Sequence, residues 1–228
     1  MFFFLRKVLT LFFFLSFAVC WADTKTLQPV GEYAEIDVHK DTSAFEILKG
    51  PESEEKKSLA EKIHQSPGDY GPFLLLYLGI YYLEKDNLSQ ALHYMRAGIF
   101  RATVDVDAAK DNSLVDILPI MNQLMSTAVG AFFQKNPDKE KEGLSALMEV
   151  SRHLMDWDFK TPRNYDARWP CLHSSKGIKA SVLNDVGAKT GYATKEEYNE
   201  ILKKHRSLFL AATEKGISSI QSHSEKRR

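Results

Sequence analysis

Between Pro72 and Phe100 the chain reads "PFLLLYLGIYYLEKDNLSQALHYMRAGIF", two apolar stretches separated only by Lys85-Asp86-Asn87. The first stretch is apolar nearly all round a helix, and a helix of that kind must be covered on most of its surface. Everything else in the chain therefore has to supply cover for this pair. Strand signals are nearly absent. Only "EIDVH", Glu35 to His39, alternates apolar and polar residues over a strand-like length.

The covering segments also read as helices. Pro51 stands where a first helical position would be, ahead of Leu59, Ala60 and Ile63, and Pro67-Gly68 ends that run. A further helix is expected from Leu114 to Lys135, capped by Asn112 or Ser113 and kinked near Pro119. Asn136 and Pro137 open the next, in which Leu144, Leu147, Met148, Ser151, Leu154 and Met155 follow the 3–4 spacing. A weaker helix is expected within "LHSSKGIKASVLNDVGAKTGYA", and a last one from Thr194, with a Thr194–Glu197 capping box and a stop at Gly216. The expectation is an all-α protein of about six or seven helices.

The N-terminus changes what composition means. Arg6 and Lys7 precede the apolar run "VLTLFFFLSFAV", followed by "CWAD", the pattern of a secretory signal peptide. The apolar run is shorter than the ~20 residues of a comfortable transmembrane helix. Cleavage after Ala22 divides the chain into a signal peptide (1–22), an irregular lead-in with a possible short strand (23–50), an α-helical domain (51–216) and a polar basic tail (217–228). Cleavage removes two of the 30 basic residues, leaving 28 against 30 acidic ones. A nearly neutral domain of this kind is not built to hold nucleic acid. Cleavage also removes Cys20 and leaves Cys171 alone, so no internal disulfide is possible and the core must hold the fold. The expected location is the periplasm or the medium of a bacterium, with no stable membrane insertion after cleavage.

The helical pair at 72–101 resembles a tetratricopeptide repeat, a two-helix unit of about 34 positions. Leu75, Leu78, Gly79 and Tyr82 match its first helix, and Ala91, Met95 and Gly98 its second, with the family's twelve-residue step from Gly79 to Ala91. A second unit, with Ala131 and Gly143 at the small positions, matches more loosely, because Gln134 stands where an aromatic belongs. The resemblance implies an antiparallel helical array with a concave surface for a protein or peptide partner. It implies neither catalysis nor a cofactor.

The densest run of chemically capable side chains is "DFKTPRNYDARWPCLH", Asp158 to His173. Arg, Tyr and Trp dominate binding hot spots, so Arg163, Tyr165, Asp166, Arg168, Trp169 and His173 are the candidate binding residues. In a structural alternative, the aromatic residues plug into the core and the arginines pair with neighbouring aspartates to staple a long connection. A metal- or thiol-dependent hydrolase centred on 156–173 is the rival reading. It would use His153, Asp156, Asp158, Asp166 and His173 as ligands, or a Cys171–His173 pair. None of the known metal-ligand spacings is present, and "GAKTG" lacks the spacing of a phosphate loop. The sequence therefore points to a non-enzymatic exported protein that binds another protein or peptide. An envelope scaffold and an immunity-type inhibitor of a toxin are the two concrete forms.

Overall fold

The computed structural model describes residues 27–225, with side chains to residue 216; the expected signal peptide and the last residues of the tail lie outside the described residues. The protein is all-helical, with no strand among the described residues. Eight α-helices follow one another, one or two more than the sequence led us to expect. They are α1 (His39–Lys49), α2 (Glu54–Gln65), α3 (Pro72–Glu84), α4 (Leu88–Ala108), α5 (Ile117–Lys135), α6 (Glu140–Lys160), α7 (Ser175–Leu183) and α8 (Lys195–Glu225).

The α3–α4 hairpin is the centre, as its apolar surface requires. Asp86 takes a left-handed conformation in the turn, and the Asn87 side chain accepts from the Gln90 amide to cap α4. A Cβ on Gly79 would sit 2.5 Å from Met95 Cγ and 2.7 Å from the Ala91 carbonyl oxygen. Only glycine permits this approach of the two helices. Helix α4 is then buried around most of its circumference, touching α3, α5, α6 and α8.

Three apolar clusters result. One joins α1, α2, α3, α4 and α6, with Ile63, Leu74, Leu75, Leu78 and Leu154 fully buried. A second lies under α5 and is closed by Trp169. The third packs Tyr33 and Ile36 of the N-terminal segment on Leu114, Cys171 and Ala180.

Several expectations are corrected. Ile36 and Val38 do not form a strand, since no second strand exists among the described residues to pair with; they insert into the third cluster between a 3-10 turn (Gly31–Glu35) and α1. The lead-in is thus helical over 39–49, because Ala44, Phe45 and Leu48 make a short stripe that packs on α3. Helix α2 starts after Ser53, whose hydroxyl accepts from the Lys56 amide, and not at Pro51. Asp111, not Asn112 or Ser113, caps the turn before α5. Pro119 lies in the first turn of α5, where its missing N–H is not needed. Helix α8 runs through Gly216 into the expected tail, as an isolated glycine costs a helix only ~1 kcal/mol. The loosely matched second hairpin is also absent as a pair. Helix α6 lies along α4 and α8, and meets α5 only near their connection, where Phe133 covers Gly143.

Helix α5, with its preceding turn, is the one stretch among the described residues long and apolar enough to cross a membrane. Here it lies on α3 and α4 through Met121 and Phe132, and turns Asn122, Gln123, Ser126 and Thr127 to solvent.

Gly79→Ala is expected to lower unfolding free energy by about 1–3 kcal/mol, because the added methyl meets backbone as well as the Met95 side chain. Urea denaturation followed by circular dichroism measures it; an unchanged midpoint would contradict the packing described.

Candidate functional site

The segment 161–174 is a strap that leaves α6, crosses the end of the α3–α4 hairpin and enters α7. It begins tightly docked. The Asn164 amide donates to the Gly68 carbonyl at 2.8 Å, and a Cβ on Gly68 would fall 2.1 Å from the Pro162 carbonyl oxygen.

Beneath the strap lies a buried cluster of charge. Asp158 at the end of α6 has no exposed side-chain surface. Its oxygens receive Arg101 Nε at 3.2 Å, Arg163 Nη2 at 3.1 Å and Arg206 Nη2 at 2.8 Å. Asp105, one turn beyond Arg101 on α4, is equally buried. It accepts from Tyr165 at 2.9 Å, Trp169 Nε1 at 3.0 Å and Tyr198 at 2.8 Å, with Arg163 Nη1 at 3.5 Å. Burial wins overall and raises the pKa of the Asp105 carboxyl, while the Arg163 charge and three hydrogen-bond donors offset part of the cost of the ionised form. Arg101 also donates to the Thr161 carbonyl and lies over the Trp157 ring, 4.7 Å from its centroid.

The candidate residues divide at this point. Arg163, Tyr165 and Trp169 point inward and staple the strap to α4, α6 and α8. Asp166 and Arg168 point outward and clasp each other, and together hold the N-terminal segment. Arg168 Nη2 donates to Asp166 Oδ2 at 2.8 Å and to the Glu35 carbonyl, while Asp166 accepts from the Asp37 amide. Burial opposes the Asp166 charge, yet the bonds from Arg168 hold its carboxyl below the usual range. His173 is exposed, edge-on to Trp169.

Arg101, Asp105, Tyr198 and Arg206 were not among the sequence candidates. A signal for the first two exists: Arg101 and Asp105 stand four apart on the stripe Tyr94, Ala97, Ala108 that otherwise faces the core.

Two cavities flank the strap. One, of about 360 Å³, is walled by Phe45, Phe73, Tyr77, Trp169 and Leu172, with His173 and Asp41 at its edges. Phe73 meets Trp169 edge-on at 5.4 Å and Phe45 meets Tyr77 at 4.8 Å. The other, of about 470 Å³, is polar and includes Asp37, Lys40, Asp69, Asn164 and the Asp166–Arg168 clasp. Asp41 borders both. Its Oδ2 accepts from the Gly71 amide at 2.9 Å, and burial pushes its carboxyl up to about 6.

Cys171 is buried, and burial, with Asp111, pushes its thiol up to about 11. Asp158 is consumed by arginines, and His153 and Asp156 face solvent. Among the described residues no three His, Cys, Asp or Glu side chains are grouped as a metal site requires. In the "GAKTG" loop, Thr190 binds Glu32 and so ties down the N-terminal segment.

Comparison with protein-family models, with curated proteins and with solved structures found no match to this chain.

Two outcomes follow from this geometry. Asp158→Asn is expected to cost about 3–5 kcal/mol in denaturant unfolding, because three arginines lose their anion in the interior. Asp41 behaves in the opposite sense. Its folded pKa lies above its unfolded one, so its contribution is fully present below about pH 4 and lost as pH rises through about 6. Asp41→Asn keeps an acceptor for Gly71 and is expected to be about 1–2 kcal/mol more stable than the parent at pH 8 and equal to it at pH 4, allowing for partial exposure. Thermal melts across pH 4 to 8 test this; a parallel pH profile in the two proteins would refute it.

Proposed function

We propose that this is an exported, non-enzymatic helical protein that binds a segment of another protein in the groove beside the strap. The observation that carries the reading is the aromatic-walled cavity between α1, α3 and Trp169. Its size suits one large apolar side chain and part of a neighbouring residue, and apolar pockets with a few polar groups at their edge are the usual form of such sites. Trp169 forms one wall and is fixed by its bond to Asp105, so that wall is set before any ligand arrives. The polar cavity continues the groove past Asp41, where an extended backbone would find acceptors and donors.

The export proposal rests on the N-terminal signal pattern, and the tetratricopeptide resemblance of the α3–α4 hairpin supports a binding role. Scaffold and immunity protein are both compatible with such a groove.

Peptide display against the protein tests the reading. Enriched peptides are expected to share a large apolar side chain, and Leu172→Lys, at the half-buried cavity wall, is expected to lose them while keeping its circular dichroism and melting behaviour. Absence of any shared apolar anchor, or equal binding by the variant, would refute the proposal.

A further inference from the structure

Arg96, half-buried on α4, stands apart from the arginines of the strap and its cluster. Arg101, Arg163 and Arg206 all reach Asp158, and Arg168 reaches Asp166. Arg96 projects from α4 into a separate cavity of about 200 Å³ between α4, α6 and α8. Its guanidinium lies over the Phe209 ring, 5.3 Å from the centroid. Its Nε is buried and has no hydrogen-bond partner. Burial disfavours its charge and is the only influence on its pKa, with no neighbouring charge among the described residues to offset it.

A guanidinium half withdrawn from water, with its Nε buried and unpartnered, carries a desolvation cost that an anion seated beside it removes. The walls say which anion. Leu147, Met148 and Phe209 are apolar, and among the described residues the hydroxyls of Ser151 and Thr213 accompany Arg96. Leu144 adds a further exposed apolar residue one turn from Leu147 on α6. A hydrated inorganic ion would leave these walls unfilled. A planar carboxylate matches the guanidinium fork, and a hydrocarbon tail matches the walls. The volume lies below the ~300 Å³ at which sites for drug-sized ligands begin, so the ligand is small.

We propose that this cavity binds an aliphatic monocarboxylate of short to medium chain length, with its carboxylate on Arg96 and its tail along Leu147, Met148 and Phe209. The site uses α4, α6 and α8, whereas the segment-binding groove uses α1, α3 and the strap. The two proposals therefore stand or fall separately.

Hexanoate is the probe, with hexanamide as its uncharged counterpart of the same shape. Titration of the full protein, followed by the ¹³C-methyl signal of Met148, is expected to give a saturable shift with hexanoate. Hexanamide is expected to bind about tenfold more weakly or worse, since it lacks the charge that Arg96 needs. Arg96→Leu removes an unpaired charge, so it is expected to melt no lower than the parent and to lose the hexanoate shift. Equal binding of hexanoate and hexanamide would overturn the proposal, as would retention of the shift in Arg96→Leu or the absence of a saturable shift in the parent. Should Arg96→Leu fail to fold, the comparison of acid and amide on the unaltered protein still decides.

Discussion

Two carboxylates with no exposed side-chain surface, Asp105 and Asp158, govern how this chain closes. A charge in that position is tolerable only when paired and fully hydrogen-bonded. The partners come from three places: Arg101 on α4, Arg163, Tyr165 and Trp169 on the strap, and Tyr198 and Arg206 on α8. No subset of these elements satisfies both aspartates. The strap and α8 must therefore settle on the α4–α6 pair together, and a partial arrangement leaves charge buried without a partner.

That requirement reaches the surface through Trp169. Its indole N–H is held by Asp105, and its ring closes both the second apolar cluster and the groove beside α1 and α3. The groove is thus set by the interior rather than by its rim. On the outer side of the same strap, the Asp166–Arg168 clasp gathers the N-terminal segment through the Asp37 amide and the Glu35 carbonyl. A single connection joins the core, the groove and the start of the described chain.

Much of the helical frame was legible. The α3–α4 hairpin announces itself by its apolar content and by Gly79 and Ala91, and the Thr194–Glu197 capping box forms as its spacing requires, with the Thr194 amide 2.8 Å from Glu197. Helix α1 was hidden because its stripe of Ala44, Phe45 and Leu48 is short and set among polar residues. The strap was legible only as a choice between staple and surface, since sequence spacing does not tell which way Arg163 and Arg168 point. The missing half of the charge cluster was hidden for another reason: Tyr198 and Arg206 meet Asp105 and Asp158 across 93 and 48 residues. No local pattern joins such pairs. The Arg101–Asp105 pair is different, because charge on the buried stripe of a helix is itself a signal.

The most direct test of the central claim is hydrogen exchange of the Trp169 indole N–H in ¹⁵N-labelled protein. If the Asp105–Asp158 cluster locks the strap, this proton exchanges only with global unfolding, at the free energy of the slowest core amides of α4. Exchange through a low-energy local opening, with the α4 amides still protected, would mean that the strap lifts on its own and that the cluster does not hold it.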